Sequence, residues 1–259
     1  MLAKSNLQGS KEQGLSLVEL MVGLAVGLLL TTGILNFYLT SMKASTDNLQ
    51  MSMLNQELRS MLHIVDRDIR RAGFWAGVPG TDDLSANPFM SDPNDLLISE
   101  KTGEPAGSCV IYSFDLDKDK QVDVGSAATS APFNAPPYDL GSVEQFGFRL
   151  NGTSVEMRTG LATASEATLD CDSGAWTTVT DNHTEITQFS FTLNTQYLNV
   201  STGSACSPVT TNCCASGESC QLIRDVNINI TGQLVNDNSV VKTVAALTRV
   251  RNDKYIVMP

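Results

Sequence analysis

The sequence predicts an α+β fold, in which one long N-terminal α-helix packs on an antiparallel β-sheet head. An apolar run followed by an amphipathic pattern predicts the helix, over residues 15–72. Segments that alternate apolar and polar residues between turn signals predict the sheet. The chain has 259 residues, 42% of them hydrophobic, which suffices for a membrane anchor and one domain with its own core.

The first half of the helix is the apolar run from Leu15 to Leu39, in which Glu19 is the only charged residue. Its 25 residues, at about 1.5 Å per residue, cover the roughly 30 Å hydrocarbon core of a bilayer. A cleaved secretory signal would have a shorter apolar core ending at a small residue, whereas Gly14 precedes the run. A simple anchor leaves Glu19 unexplained, since an unpaired acidic group at membrane depth costs about 2.5–3.5 kcal/mol.

Residues Gly14 to Leu20 form a polar-to-apolar boundary, with glutamate at the fifth position of the apolar run, and resemble the class III signal of type IV pilins and type II secretion pseudopilins. The resemblance implies a leader at residues 1–14, which a prepilin peptidase removes between Gly14 and Leu15, and N-methylation of Leu15. Leu15 stands where the family most often has phenylalanine. Asn36 stands where major pilins have a kinking proline, which favours a minor subunit.

Glu19 gains a partner if the cleaved chains pack in a helical filament. The carboxylate of one subunit then lies beside the amino terminus of a neighbour at Leu15, so each buried charge has a counter-ion. Either charge alone in an apolar bundle would be strongly destabilising. We therefore predict that Glu19 sets the register and recruits the subunit to an assembly. A chance glutamate in an ordinary anchor is the alternative.

Residues 40–76 continue the helix as an amphipathic half. Apolar residues recur at steps of three and four, at Met51, Leu54, Leu58, Met61 and Val65, and are widened by Leu62 and Ile69. The helix is expected to end at Ala72, because Gly73 follows the basic residues Arg67, Arg70 and Arg71.

The head, residues 77–259, is predicted to be mostly β-strand. A long connection with little regular structure is expected from Gly77 to Pro105, which is rich in proline, aspartate, asparagine and serine. Strands are expected at Cys109–Phe114, in a hairpin turning at Asn151–Gly152, at residues 185–195, and in a last pair that turns at Asn236–Ser239 and ends at Val250.

Residues Asp66 to Gly77 and Thr248 to Tyr255 resemble the helix end and last strand of PilW-type minor pilins, which are similar to J-type minor pseudopilins. The resemblance implies a subunit that helps to initiate type IV pilus assembly and sits near the tip. Its implied partners are other minor pilins, the major pilin, prepilin peptidase and a large tip adhesin. Its implied location is the inner membrane with a periplasmic head, and the pilus at the cell surface after assembly. A type II secretion pseudopilin and an adhesin-like binding module are the alternatives.

Composition argues against two other functional classes. The net charge is −11 and no cluster of lysine and arginine is present, so direct nucleic-acid binding is not expected. No nucleophile motif or phosphate-binding glycine loop occurs, and the two histidines, His63 and His183, give no support to a catalytic triad. We do not expect an enzyme.

Alternating aspartates suggest a calcium loop, at Asp115, Asp117, Asp119 and Asp123. They occupy positions one, three, five and nine of such a loop, where side chains converge on a hard cation. Lys120 replaces the turn glycine of the motif, and Ser126 replaces its bidentate glutamate. Calcium-stabilised loops occur among the pseudopilins that the chain resembles. A solvated acidic turn is the alternative, and no other cofactor is expected.

All six cysteines lie downstream of the apolar run, at Cys109, Cys171, Cys206, Cys213, Cys214 and Cys220. Because the C-x-x-C pairs of a zinc ribbon are missing, disulfides in an oxidising compartment are favoured over a zinc site. Residues 206–220 are expected to form a stapled surface loop. Cys213 and Cys214 are not expected to pair with each other, since a vicinal bridge strains the backbone. The sequence does not choose among the fifteen pairings that six cysteines allow.

Overall fold

The computed structural model describes residue 14 and residues 16–77, 83–123, 143–160, 169–200, 204–205 and 214–257. It confirms the α+β class: one long helix is followed by a head of antiparallel sheets. The chain divides into two compact units, residues 1–50 and 51–259.

Helix α1 spans Leu17–Ile69, 53 residues. In the first unit its side chains from residue 17 to residue 49 are all exposed, although most of those up to residue 42 are apolar. The helix is long and apolar enough to cross a membrane, with a mean hydropathy of 2.1 over its most apolar window. An exposed apolar helix surface of this length is unfavourable in water, so lipid or other apolar helices must cover it.

In the second unit, α1 buries one face in the head. The buried residues follow the predicted spacing, at Leu54, Leu58, Met61, Val65 and Ile69. Leu62 packs against this core and is partly buried. The prediction was wrong for Met51, which is 48% exposed.

The helix ends at Ile69, three residues earlier than predicted. The N–H groups of Arg71 and Ala72 donate to the carbonyls of Asp68 and Ile69, three residues back, which tightens the last turn and ends the α-helical pattern. Gly73 follows with a φ of +70°, as expected for the residue after a helix.

In its described residues the head contains two five-stranded antiparallel sheets, where the sequence predicted one. The first has the order β1-β2-β3-β4-β5, with β1 Leu97–Ser99, β2 Cys109–Ser113, β3 Gln145–Asn151, β4 Ser154–Gly160 and β5 Ala175–Thr178. In the second, β8 pairs with β6, β9 and β10, and β7 pairs with β6; the strands are β6 Thr184–Asn199, β7 Ser204–Ala205, β8 Ser219–Leu234, β9 Asp237–Arg249 and β10 Lys254–Val257.

The connection over residues 77–105 has little regular structure in its described part, residues 77 and 83–105, as predicted. It contains two short 3₁₀ helices, Leu84–Ala86 and Pro88–Met90, as well as strand β1. The Asp83 carboxylate caps the first by accepting from the Ser85 N–H, and the Asn87 side chain caps the second in the same way.

The two predicted hairpins are present. The β3–β4 turn includes Gly152, whose φ of +62° favours glycine. The β8–β9 turn lies at Val235–Asn236, earlier than the predicted Asn236–Ser239. The Asp237 carboxylate accepts hydrogen bonds from Ser239, and the register with β8 shifts here, so the bend continues into β9 as a bulge.

One core joins the helix and both sheets. Leu58 and Val65 of α1, Phe148 of the first sheet, and Phe189 and Ile228 of the second are all buried in it. Side-chain hydrogen bonds join α1 to the second sheet near both ends of its strands. The Glu57 carboxylate accepts from Thr184 near one end, and the Asp66 carboxylate accepts from Thr248 near the other. These contacts hold residues 57–66 of α1 on the second sheet.

Candidate functional site

The first candidate site is the start of α1. Gly14 is exposed, the Ser16 carbonyl accepts the first helical hydrogen bond from the Leu20 N–H at 3.1 Å, and the exposed Glu19 lies in the first turn. A carboxylate in this turn interacts favourably with the helix dipole. From Leu20 to Met42 the sequence has no charged residue. Leu15, the predicted new terminus, lies outside the described residues.

The second candidate site is the acidic loop. Asp115 is buried and accepts hydrogen bonds from the Ala76 N–H at 2.9 Å and the Lys118 N–H at 2.6 Å. Asp117 and Asp119 each accept from the N–H two residues ahead. These bonds curl the loop so that alternate carboxylates turn toward one another.

The loop brings in a carboxylate that the sequence reasoning missed. Glu144, which precedes β3, is fully buried and accepts from the Leu116 N–H at 2.5 Å and the Asp123 N–H at 3.1 Å. Carboxylate oxygens of Asp115, Asp117 and Glu144 lie within 4.8 Å of one another. No spacing rule could have found Glu144, because it lies 21 residues beyond Asp123 and is brought back by the fold.

A second triad shares a member with the first. Oxygens of Asp117, Asp119 and Asp123 also lie within 4.8 Å of one another. The two triads share Asp117, and together they contain the four predicted aspartates and Glu144. The donor set is entirely oxygen, as a hard cation such as calcium requires. Ser126, at the twelfth position of the motif, lies outside the described residues.

The electrostatics of the acidic loop disfavour a fully ionised cluster. Burial raises the pKa of Glu144, and the negative charge of Asp115 raises it further, while hydrogen bonds from the Asp123 and Leu116 amides act in the opposite direction. Lys118 and Lys120 adopt positive φ of 72° and 70°, a conformation that favours glycine. The loop therefore holds a backbone shape that its sequence does not favour.

Two disulfides lie among the described residues of the head. Cys109–Cys171 connects β2 to the segment before β5 and packs against Ile111, Leu169 and Trp176. Cys214–Cys220 closes the turn that leads into β8. The second pairing confirms that Cys214 does not bridge its neighbour Cys213. Cys206 and Cys213 lie outside the described residues.

Comparison with known protein families decides what kind of protein carries these sites. Residues 9–35 match the prokaryotic N-terminal methylation motif, and residues 47–250 match the family described as prepilin peptidase-dependent protein B. The chain belongs to the prepilin peptidase-dependent protein B family. It is a pilin-like protein with a class III signal, and prepilin peptidase is its processing partner.

Membership in the prepilin peptidase-dependent protein B family agrees with an N-terminal membrane anchor and a structural rather than an enzymatic role. A curated relative is an uncharacterized protein of Haemophilus influenzae, which is 25% identical over 107 residues. That match covers 40% of this chain and 45% of the relative, so the chain spans less than half of the length of the relative it matches. No solved structure matches the chain.

Proposed function

We propose that the chain is a minor pilin that helps to initiate type IV pilus assembly and sits near the pilus tip. The observation that carries this proposal is the methylation-motif match over residues 9–35, because Glu19 is the only charged residue of the apolar run from Leu15 to Leu39. Asn36 in place of the major pilin's proline supports a minor subunit. Other minor pilins, the major pilin and a tip adhesin are the proposed neighbours.

Assembly uses the first turn of α1 in this proposal. Cleavage after Gly14 creates a cationic amine at Leu15, and the Glu19 carboxylate of an adjacent subunit neutralises it inside the bundle of apolar helices. Before assembly, the anchor lies in the inner membrane with the head in the periplasm. The disulfides of the head support an oxidising compartment.

The test is deletion of the gene in the bacterium that makes the protein, followed by counts of surface pili and by assay of secreted protein. We expect surface pili to be lost and secretion to be unchanged, with pili restored by the wild-type gene. Loss of secretion with normal pili would contradict the pilus role and favour the alternative, a minor pseudopilin of a type II secretion system. Normal pili that no longer adhere would favour an adhesin-like module.

We also propose that the acidic loop binds calcium through Asp115, Asp117, Asp119, Asp123 and Glu144. The two overlapping carboxylate triads support this, because five acidic groups held together repel one another unless a cation neutralises them. Bound calcium would supply only charge neutralisation and cross-linking of the loop to β3. The role is therefore structural.

Calcium should raise the melting temperature of the full chain in detergent micelles. With a Kd of about 10⁻⁴ M and 1 mM calcium, the stabilisation RT ln(1 + [L]/Kd) is about 1.4 kcal/mol, or about 3–6 °C. The measurement is thermal unfolding in calcium and in chelator. Asp117→Ala should abolish the shift, while Asp47→Ala, an exposed change outside the loop, should retain it.

The calcium shift should also shrink in acid. The raised pKa of Glu144 means that the folded head favours its neutral form, so folding gains from this group at low pH and loses that gain as pH rises through the folded pKa. Calcium needs the ionised form, so its effect should grow across the same pH range. Equal melting temperatures in calcium and in chelator at every pH would contradict calcium binding and indicate that the loop is a solvated acidic turn.

A further inference from the structure

Three side chains of complementary chemistry meet beside the β3–β4 turn. Lys101 Nζ donates to Asn151 Oδ1 at 2.6 Å, and Asn151 Nδ2 donates to Glu156 Oε1 at 2.7 Å. All three residues are partly buried. An amine, a carboxamide and a carboxylate therefore lie in one chain of contacts, which contains a nucleophile, a carbonyl carbon and a group that carries a proton.

The register of the β3–β4 hairpin places two of these side chains together. Asn151 ends β3 and pairs with Ser154, and Glu156 lies two residues further along β4, so both side chains lie on one face of the sheet. Arg149 is opposite Glu156 and donates from Nε to Glu156 Oε2 at 2.8 Å. The carboxylate is therefore held between Arg149 and Asn151.

The connection from β1 to β2 brings Lys101 to this face, and two further contacts hold that connection in place. The Thr102 N–H and hydroxyl donate to the Asp172 carboxylate at 2.9 and 2.7 Å. The Glu104 carboxylate accepts from the Gly152 N–H at 2.7 Å. The backbone beside Lys101 is thereby fixed against the turn that carries Asn151.

The hydrogen bond brings the Lys101 nitrogen close to a carbonyl carbon. Asn151 Cγ is one C=O bond, about 1.2 Å, from Oδ1, so it lies no more than about 3.8 Å from Lys101 Nζ. Atoms that are about to react lie roughly 3–3.5 Å apart. A small rotation of the lysine side chain, which has several rotatable bonds, covers the difference.

Glu156 is in the right charge state to accept a proton. Burial acts to raise the pKa of Glu156, but hydrogen bonds from Asn151 and Arg149 and the charge of Arg149 outweigh it and lower the pKa below its usual value. The positive charge of Lys101 acts in the same direction. The carboxylate is therefore ionised at neutral pH.

We propose that Lys101 and Asn151 form an intramolecular amide bond. Lys101 gives one proton to Glu156, and Nζ then attacks Asn151 Cγ. The Nζ–Cγ bond forms, the Cγ–Nδ2 bond breaks, and a second Nζ proton goes to Nδ2, which leaves as ammonia. The ammonia takes the proton held by Glu156. One lysine ammonium and one carboxamide thus give a secondary amide and an ammonium ion, with no other reactant.

The amide bond joins two parts of the first sheet that are 50 residues apart in the sequence. Strand β1 has only three residues and lies at the edge of this sheet, so few backbone bonds hold it. A covalent link from the β1–β2 connection to the β3–β4 turn prevents that edge from separating. The reaction takes place once per molecule, so a slow step suffices. This inference does not depend on the proposed role in assembly.

The test is tryptic digestion of the full chain, with its disulfides reduced, followed by mass spectrometry. We expect residues 72–118 and 150–158 to be recovered as one joined peptide, uncleaved after Lys101 and lighter than the sum of its parts by one ammonia molecule. Lys101→Arg keeps the cation, but its guanidinium is not a nucleophile at neutral pH, so this variant should give two separate peptides.

Glu156→Gln should lower the joined fraction at least about tenfold, because the proton carrier is lost. Glu100→Gln is the matched control, since it removes an exposed carboxylate next to Lys101 and should leave the joined fraction unchanged. Asn151→Ala, which should give no joined peptide, is the second variant if Glu156→Gln fails to fold.

Three results would overturn the proposal. The first is a wild-type chain that trypsin cleaves after Lys101 and that yields two separate peptides of unchanged mass. The second is conversion of Asn151 to aspartate, which would show that water rather than lysine attacks the carboxamide. The third is a joined peptide that persists in Lys101→Arg, since another residue would then form the link.

Discussion

Replacing Glu19 with alanine should remove the chain from its assembly while leaving it in the membrane. Insertion should be unchanged or improved, because an acidic group at membrane depth costs about 2.5–3.5 kcal/mol. Association should weaken, because the amine of a neighbouring subunit loses its counter-ion. Breaking a buried pair in this way costs about 3–5 kcal/mol, which corresponds to at least about a hundredfold in affinity.

The measurement is co-purification of Glu19→Ala with the other minor pilins after detergent extraction of the membrane. Leu20→Ala is the matched control, since it changes an adjacent exposed residue of the same helix without changing charge. The two variants should reach the membrane equally, and only Glu19→Ala should be lost from the complex. Full recovery of Glu19→Ala with its partners would contradict the assembly role and indicate that Glu19 is a chance glutamate in an ordinary anchor.

Leu58→Ala should lower the free energy of unfolding of the head by about 2–5 kcal/mol. Leu58 is fully buried, and its side chain lies 3.0 Å from where a β-carbon on Gly232 would be, so helix and sheet are in close contact and the site has little room to collapse. Met51→Ala, on the same helix, should cost much less because Met51 is 48% exposed.

Urea unfolding of the full chain in micelles, followed by tryptophan fluorescence, measures both variants. Trp75 and Trp176 both lie in the second unit, residues 51–259, so the fluorescence signal reports on the unfolding of that unit. Equal midpoints for Leu58→Ala and Met51→Ala would contradict the packing of α1 on the second sheet.

Local sequence patterns predicted the helix and the two hairpins, but not the division of the strands into two sheets. The apolar spacing from Leu54 to Val65 is local, so it identifies the buried face without knowledge of the partner. Met51 follows the same spacing and is exposed, because the spacing does not show where contact with the head begins. Strands β5 and β10, with four residues each, are too short for a pattern and depend on pairing with β4 and β8.

In the acidic loop, too, the sequence predicted the residues that are close along the chain but not the one that the fold brings in. Local spacing found Asp115, Asp117, Asp119 and Asp123, because the loop itself brings alternate side chains together. It could not find Glu144, which reaches the cluster from the start of β3. The sequence also could not predict that Cys109 pairs with Cys171, because this pairing depends on how the fold brings the two residues together rather than on their spacing.

The central claim is that the chain is a pilin-like subunit matured by prepilin peptidase. Intact-mass analysis of the protein extracted from membranes of a strain with active peptidase tests it most directly. A Gly14→Val variant, which adds a branched side chain beside the predicted scissile bond, should keep its leader. We predict that the wild-type chain begins at an N-methylated Leu15; a wild-type chain that still begins at Met1 would contradict the claim.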